Sequence, residues 1–183
     1  MQRELMIVVA AALVLPAGCA TAPEKKEAKV VLRAQVDEAV ASFKAADPEI
    51  EKFFKSSHGY AVLPKVFKGA FWIGGAYGKG EVYEKEEMVG YCSMSQATLG
   101  FSFGGEFFRE VIFFRDKFAL DKFRTGEFTF SAQATAVALD AGAAAKADYK
   151  SGMAVFVMAD KGLMVDASIG GQKFEYLDKY PWE

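Results

Sequence analysis

With one histidine and two cysteines, the chain has few side chains suited to nucleophilic, acid–base or zinc chemistry. His58, the sole imidazole, sits in a polar Ser56-Ser57-His58-Gly59 turn without a nucleophile elbow beside it, so it is expected to be exposed or to satisfy its turn. Cys92 has no acylating base near it in sequence and reads as a small buried hydrophobe. The run Gly74-Gly75-Ala76-Tyr77-Gly78-Lys79-Gly80 invites a phosphate loop, but Walker spacing puts Ile73 where the first glycine belongs. A dinucleotide fingerprint starting at Gly78 would need a small residue at Tyr83 and a helix after it. A packing role for these glycines is the reading that remains. The acidic stretch Glu84 to Glu87, interrupted by Lys85, reads as a solvated hairpin tip. No catalytic constellation emerges, and neither a cofactor nor a metal is expected.

The cations are the better lead. Lys25, Lys26, Lys29, Arg33 and Lys44 flank an amphipathic stripe, and Lys79 adds a charge at a strand end. Positive side chains beside apolar ones suit anionic lipid headgroups. The alternative is a solvated outer face diluted by Glu24, Glu27, Asp37 and Glu38. A polyanion partner is disfavoured, because 22 Lys and Arg against 24 Asp and Glu leave a net charge of −2 and no basic field for nucleic acid.

The first residues carry an address. Residues 5–15 form an uncharged apolar run of eleven after Arg3, too short to span a bilayer and suited to a secretory core segment. Leu15-Pro16-Ala17-Gly18-Cys19 then resembles a bacterial lipobox, which implies cleavage before Cys19, acylation of that cysteine and a lipid anchor. Ala20 after the cysteine implies the periplasmic side of an outer membrane. The expected division is a signal peptide over 1–18, a tether over 19–28 reaching at most about 30 Å, and one domain over 29–183.

The elements that must position the cations follow from periodicity. Leu32, Val36, Val40 and Phe43 recur at helical spacing and predict a helix over 29–46. Asp47-Pro48-Glu49 supplies a cap, a first-turn proline and an acid for a second short helix through Phe53 and Phe54. Beyond Gly59 the pattern changes to short apolar or alternating runs. Strands are expected near 60–63, 69–83, 88–92, 96–103, 106–114, 127–139, 152–159, 163–169 and 172–177. Asp160-Lys161-Gly162 and Gly170-Gly171 read as hairpin turns. A short helix from Asp116 to Arg124 ends at Gly126. Small residues alternate at Gly74, Ala76, Gly78 and Gly80, at Thr98, Gly100, Ser102 and Gly104, and at Ala132, Ala134, Ala136 and Ala138. Such bare faces let another layer approach or let a sheet bend tightly. With 52% hydrophobic residues and 17 Phe to fill a core, the expected fold class is α+β: two N-terminal helices packed on a strongly curled, mainly antiparallel sheet or partial barrel.

Gly59-Tyr60-Ala61-Val62-Leu63-Pro64-Lys65-Val66 followed by Gly69-Ala70-Phe71-Trp72-Ile73-Gly74-Gly75 resembles the opening of the SYLF domain. The likeness continues through Gly100-Phe101-Ser102-Phe103-Gly104-Gly105, Ile112-Phe113-Phe114 and Lys161 to Ile169. Many relatives carry a Gly-Trp-Ser-x-Pro-Ala segment where this chain has Gly90-Tyr91-Cys92-Ser93-Met94-Ser95-Gln96-Ala97. The resemblance implies a non-catalytic lipid-binding module, with actin binding in some eukaryotic members and exported lipoproteins among bacterial ones. The expected partners are therefore membrane lipids, anionic ones such as phosphatidylglycerol or cardiolipin, contacted by Lys25, Lys26, Lys29, Arg33, Lys44 and Lys79. The alternative is a module that binds another envelope protein.

Overall fold

The computed structural model describes residues 21–126, 129–130, 136–138 and 141–179, with side chains described outside 70–73, 98–103, 129–130, 136–138 and 161–171. Helix α1 (Lys26–Ala46) opens the described chain. It buries Leu32, Val36, Ala39 and Phe43 along one stripe, while Val40 stays half-buried at its border. The helix begins at Lys26, so Lys26 to Ala28, assigned by sequence to the tether, form its first turn. Asp47 then caps a 3-10 turn (Pro48–Ile50) by accepting the Glu49 N–H at 3.1 Å, and α2 (Glu51–Ser56) follows.

Three long strands dominate what comes next: β1 (Gly59–Glu84), β2 (Glu87–Phe114) and β5 (Met153–Asp178). Between β2 and β5 lie α3 (Lys117–Arg124), the short strands β3 (Thr129–Phe130) and β4 (Ala136–Ala138), and α4 (Ala143–Lys146). The sheet order is β1-β2-β5-β3, antiparallel throughout, with β4 joining β5 in parallel. The architecture is mixed α/β around a mainly antiparallel sheet that keeps open edges, as the expected fold class required in its main lines.

Several expected boundaries are corrected. The two runs predicted over 60–83 are one strand, interrupted by register shifts at Leu63/Val66, Phe71/Ile73 and Val82/Tyr83. The three predicted over 88–114 are likewise one. Asp160-Lys161-Gly162 and Gly170-Gly171 are not hairpins: Lys161 pairs with Phe107, Gly162 with Glu106, Gly170 with Thr98 and Gly171 with Ala97. With an unbroken β2 alongside, the backbone continues through these glycines, and only a shift between Phe107 and Phe108 marks the spot. The strand expected over 127–139 is seen as β3 and β4, the rest of it, with Ala132 and Ala134, lying outside the described residues. The tip at Glu84 to Glu87 is the hairpin expected, with Lys85 and Glu86 at positive φ (48° and 71°), the handedness a two-residue loop between twisted strands needs.

A straight strand the length of β1 would span about 85 Å. Instead its ends meet: the Lys85 N–H donates to the His58 carbonyl at 3.1 Å. Each long strand therefore has two arms, and their inner faces pack together. Ala61, Leu63, Ile112, Phe114 and Val155 of the first arm join Val82, Cys92, Met94 and Phe174 of the second. From α3, Phe123 touches both arms, 4.9 Å from Phe114 and 5.3 Å from Phe174 between ring centroids. The bare face of β1 is where the arms come closest: a Cβ on Gly80 would lie 2.1 Å from the Val62 carbonyl oxygen, and one on Gly78 would lie 2.7 Å from Val66. The bend foreseen from the small-residue stripe is in this respect present, without closure into a barrel.

On the outer face, α1 and α2 cover Val62, Val111, Phe113 and Phe156 with Tyr83 and Tyr91. Phe113 anchors this layer, with Phe53 at 5.4 Å and Phe54 at 4.8 Å. The expected Asp116 to Gly126 helix is present as α3, capped by Asp116 accepting the Ala119 N–H at 3.0 Å, with Gly126 at φ +68° after its end.

Candidate functional site

The cations of α1 fall into two groups. Lys44 lies over the Phe54 ring at 4.9 Å and pairs with Glu51 at 2.8 Å, so its charge already has a partner. Arg33 reaches across to β1. It donates to the buried Glu81 carboxylate at 3.3 Å and to the Tyr83 hydroxyl, and it pairs with Asp37 along the helix at 3.4 Å. Burial foremost, then the Glu81 carboxylate, raises the Tyr83 pKa well above the ordinary phenol value and so holds the hydroxyl protonated. Arg33 thus works as a fastener between helix and sheet.

The N-terminal half differs. Lys25 and Lys26 are exposed and Lys29 rests over the Tyr91 ring at 5.2 Å. Beside them Val30 and Val31 are 63% and 55% exposed, two large apolar side chains turned to solvent. A groove of about 760 Å³ runs along one flank, with Lys25, Lys65 and Lys79 around Val31, Leu32 and Pro64. A second, of about 330 Å³, runs along the other, with Lys26, Lys29, Arg33 and Lys179 beside Met88 and Tyr91. The structure therefore brings Lys25 and Lys79 to one groove and Lys26, Lys29 and Arg33 to the other, and leaves Lys44 away from both. Cys19 lies outside the described residues.

Sequence reasoning missed Val30 and Val31. The signal was present: with Leu32 they make three consecutive apolar residues, and at about 100° per residue one helix stripe can bury only some of them. Lys65 was visible as a cation, but only the bend of β1 places it opposite Lys79 and the start of α1.

The His58 ring reaches beyond its turn and bonds Glu84 at 2.8 Å across the meeting ends of β1. Arg124 donates to the same carboxylate at 2.9 Å. Burial would raise the Glu84 pKa, but these two donors outweigh it and keep the group below the ordinary carboxylate value. Cys92 is buried, and burial foremost, with Glu110 and Glu81 adding repulsion, pushes its thiol far from reactivity. Among the described residues no group of three or more His, Cys, Asp or Glu is arranged to hold a metal ion, and no helix is long and apolar enough to cross a membrane.

This pattern, a basic helix over a glycine-rich bent sheet, coincides with a family match. A family described as "Ysc84: Las17-binding protein actin regulator" matches residues 95–178, from the second arm of β2 through α3 to the end of β5. Residues 95–178 are thus similar to the Ysc84 (SYLF) domain. The resemblance seen in the glycine and aromatic motifs is thereby borne out, and it extends beyond the matched segment. The chain is 32% identical over 155 residues, 84% of its length, to Beta cell expansion factor A of Aeromonas veronii. It spans 59% of the length of that curated relative. The grooves flanking α1 lie outside the matched residues and combine charge with exposed apolar surface.

Proposed function

We propose that this Ysc84-like domain is a non-catalytic lipid-binding module that meets anionic headgroups with the N-terminal half of α1. The observation that carries the reading is the exposed Val30-Val31 pair set among Lys25, Lys26 and Lys29, with cationic grooves on both flanks. Valines of this kind enter the interfacial region while lysines add up to roughly 1 kcal/mol each near a negatively charged leaflet. Arg33 holds the helix on the sheet, and Lys65 joins Lys79 in the headgroup set; Lys44 has no direct part in it. The reading places the domain behind an acylated Cys19 on the periplasmic side of an outer membrane, with residues 1–18 as the signal peptide that delivers it.

Vesicle flotation of the chain from Ala20 onward, which holds every described element, tests the proposal. Binding to phosphatidylglycerol or cardiolipin vesicles at low salt, weakened by added salt and absent on phosphatidylcholine, is the expected result. No binding to anionic vesicles at low salt removes it. A protein partner is the second reading, favoured by the family description, which names binding to Las17. Cell crosslinking that recovers one stoichiometric protein, together with absent vesicle binding, selects that reading.

A further inference from the structure

The interior between the two arms contains one feature that lipid contact does not use. Glu110 is fully buried, among apolar side chains of both arms. On β2 it pairs with Val157 of β5, whereas Gln172 lies further along β5, opposite Gln96. On a straight strand Val157 and Gln172 would stand roughly 50 Å apart. The bend brings Gln172 Nε2 to 3.2 Å from Glu110 Oε2, so this side-chain bond ties one arm to the other.

The bond is half of a pair. Among the described residues, Glu110 Oε1 and Gln172 Oε1 are both buried without a hydrogen-bond partner. Two buried acceptors left over on two groups already joined once is the arrangement that one proton resolves. A neutral carboxylic acid donates from Oε1 to the Gln172 carbonyl while accepting from Nε2, and every polar atom of the pair is then satisfied. An ionised carboxylate leaves two acceptors facing an apolar interior.

We propose that Glu110 and Gln172 form a proton-dependent tie between the arms of the bent sheet, closed when Glu110 carries its proton and loosened when it ionises. The surroundings support this. The residues packed from α3, Ala119, Leu120 and Phe123, are apolar. From β2 the titratable neighbour is the Cys92 thiol, which burial foremost, then the charges of Glu110 and Glu81, keeps protonated and neutral. Burial, partly offset by the Gln172 bond, lifts the Glu110 pKa from 4.5 to about 7. Because the folded value lies above the unfolded one, the contribution is complete below about 4.5 and is lost as pH rises to about 7.

The test compares thermal unfolding of the full chain and of Glu110→Gln between about pH 5 and pH 8. An amide at 110 can still bond Gln172 twice and does not titrate. The expected result is that the wild-type midpoint falls by about 5 °C or more relative to the variant across that window. Parallel pH profiles for the two proteins overturn the proposal. Infrared spectroscopy of the wild type alone gives an answer independent of the variant's folding. A neutral carboxylic-acid carbonyl band shielded from rapid deuteration at pH 5, and lost by pH 8, is expected; its absence at pH 5 overturns the tie.

Discussion

Two buried acids, one on each side of the sheet, are treated in opposite ways. Asp47, in the outer layer beside α1 and α2, accepts the Ala144 N–H at 2.8 Å and the Glu49 N–H at 3.1 Å. Burial works against its charge, yet these backbone donors outweigh burial and hold it below the ordinary carboxylate value. Glu110, in the interior, has among the described residues a side-chain amide as its hydrogen-bond donor and no other. The difference comes from secondary structure. Helix starts have N–H groups left over to stabilise a carboxylate, whereas a sheet interior has already used its N–H groups in the ladder. An acid under the helices can stay charged, and an acid between the arms is driven to hold its proton.

The largest expected effect sharpens the contrast between layers. Phe113→Ala should cost about 3–5 kcal/mol, read by denaturant unfolding, because the ring is fully buried under α2 against Phe53, Phe54 and Phe156. A smaller loss would mean that the helical layer can collapse onto the gap. Next comes the outer surface of the same layer. Neutralising Lys25, Lys26 and Lys29 to Gln should weaken binding to anionic vesicles by on the order of 100-fold, from roughly 1 kcal/mol per lysine. The unfolding midpoint should hold, since these side chains lie outside the core; a parallel fall in stability would assign them to packing instead.

Asp47→Ala should cost about 1.5–3 kcal/mol, by freeing the buried Ala144 N–H and uncapping the 3-10 turn. Its pH signature is the reverse of that of Glu110. The native value lies below the unfolded one, so the stability it gives is present above the ordinary aspartate range and is lost as pH falls through the native value. Subtracting the acid limb of the Asp47→Ala unfolding curve from that of wild type checks this sign. The smallest effect is expected at Lys44→Gln. This lysine is engaged by Glu51 and Phe54, so vesicle affinity should be unchanged in flotation; a loss like that of the N-terminal lysines would erase the distinction between the halves of α1.

Much of the outer layer was legible because its signals are local. The Leu32, Val36 and Phe43 spacing fixes which side of α1 faces the sheet, and Asp47-Pro48-Glu49 and Asp116 with Gly126 punctuate helices within a few residues. The cations were legible as a group but not as a site. Lys44 and Lys29 look alike in sequence; Glu51 and Phe54 retire one, and Tyr91 together with the second groove recruits the other. The Glu110–Gln172 tie could not be read at all, because the two residues meet only through the fold of β5 onto itself.

The sequence by itself determined the helical stripe, its caps, the tip at Lys85-Glu86 and the bare faces at Gly78 and Gly80 where backbones must come close. These depend on side-chain size and on neighbours within one or two turns of chain. Tertiary structure decided whether a glycine pair reverses the chain or lets it run on. Gly170-Gly171 has the composition of a hairpin, and only the unbroken β2 beside it, pairing through Thr98 and Ala97, makes it part of a strand. A glycine releases the backbone without choosing its path; that choice belongs to partners distant in sequence, whose hydrogen bonds exist only once the whole sheet has formed.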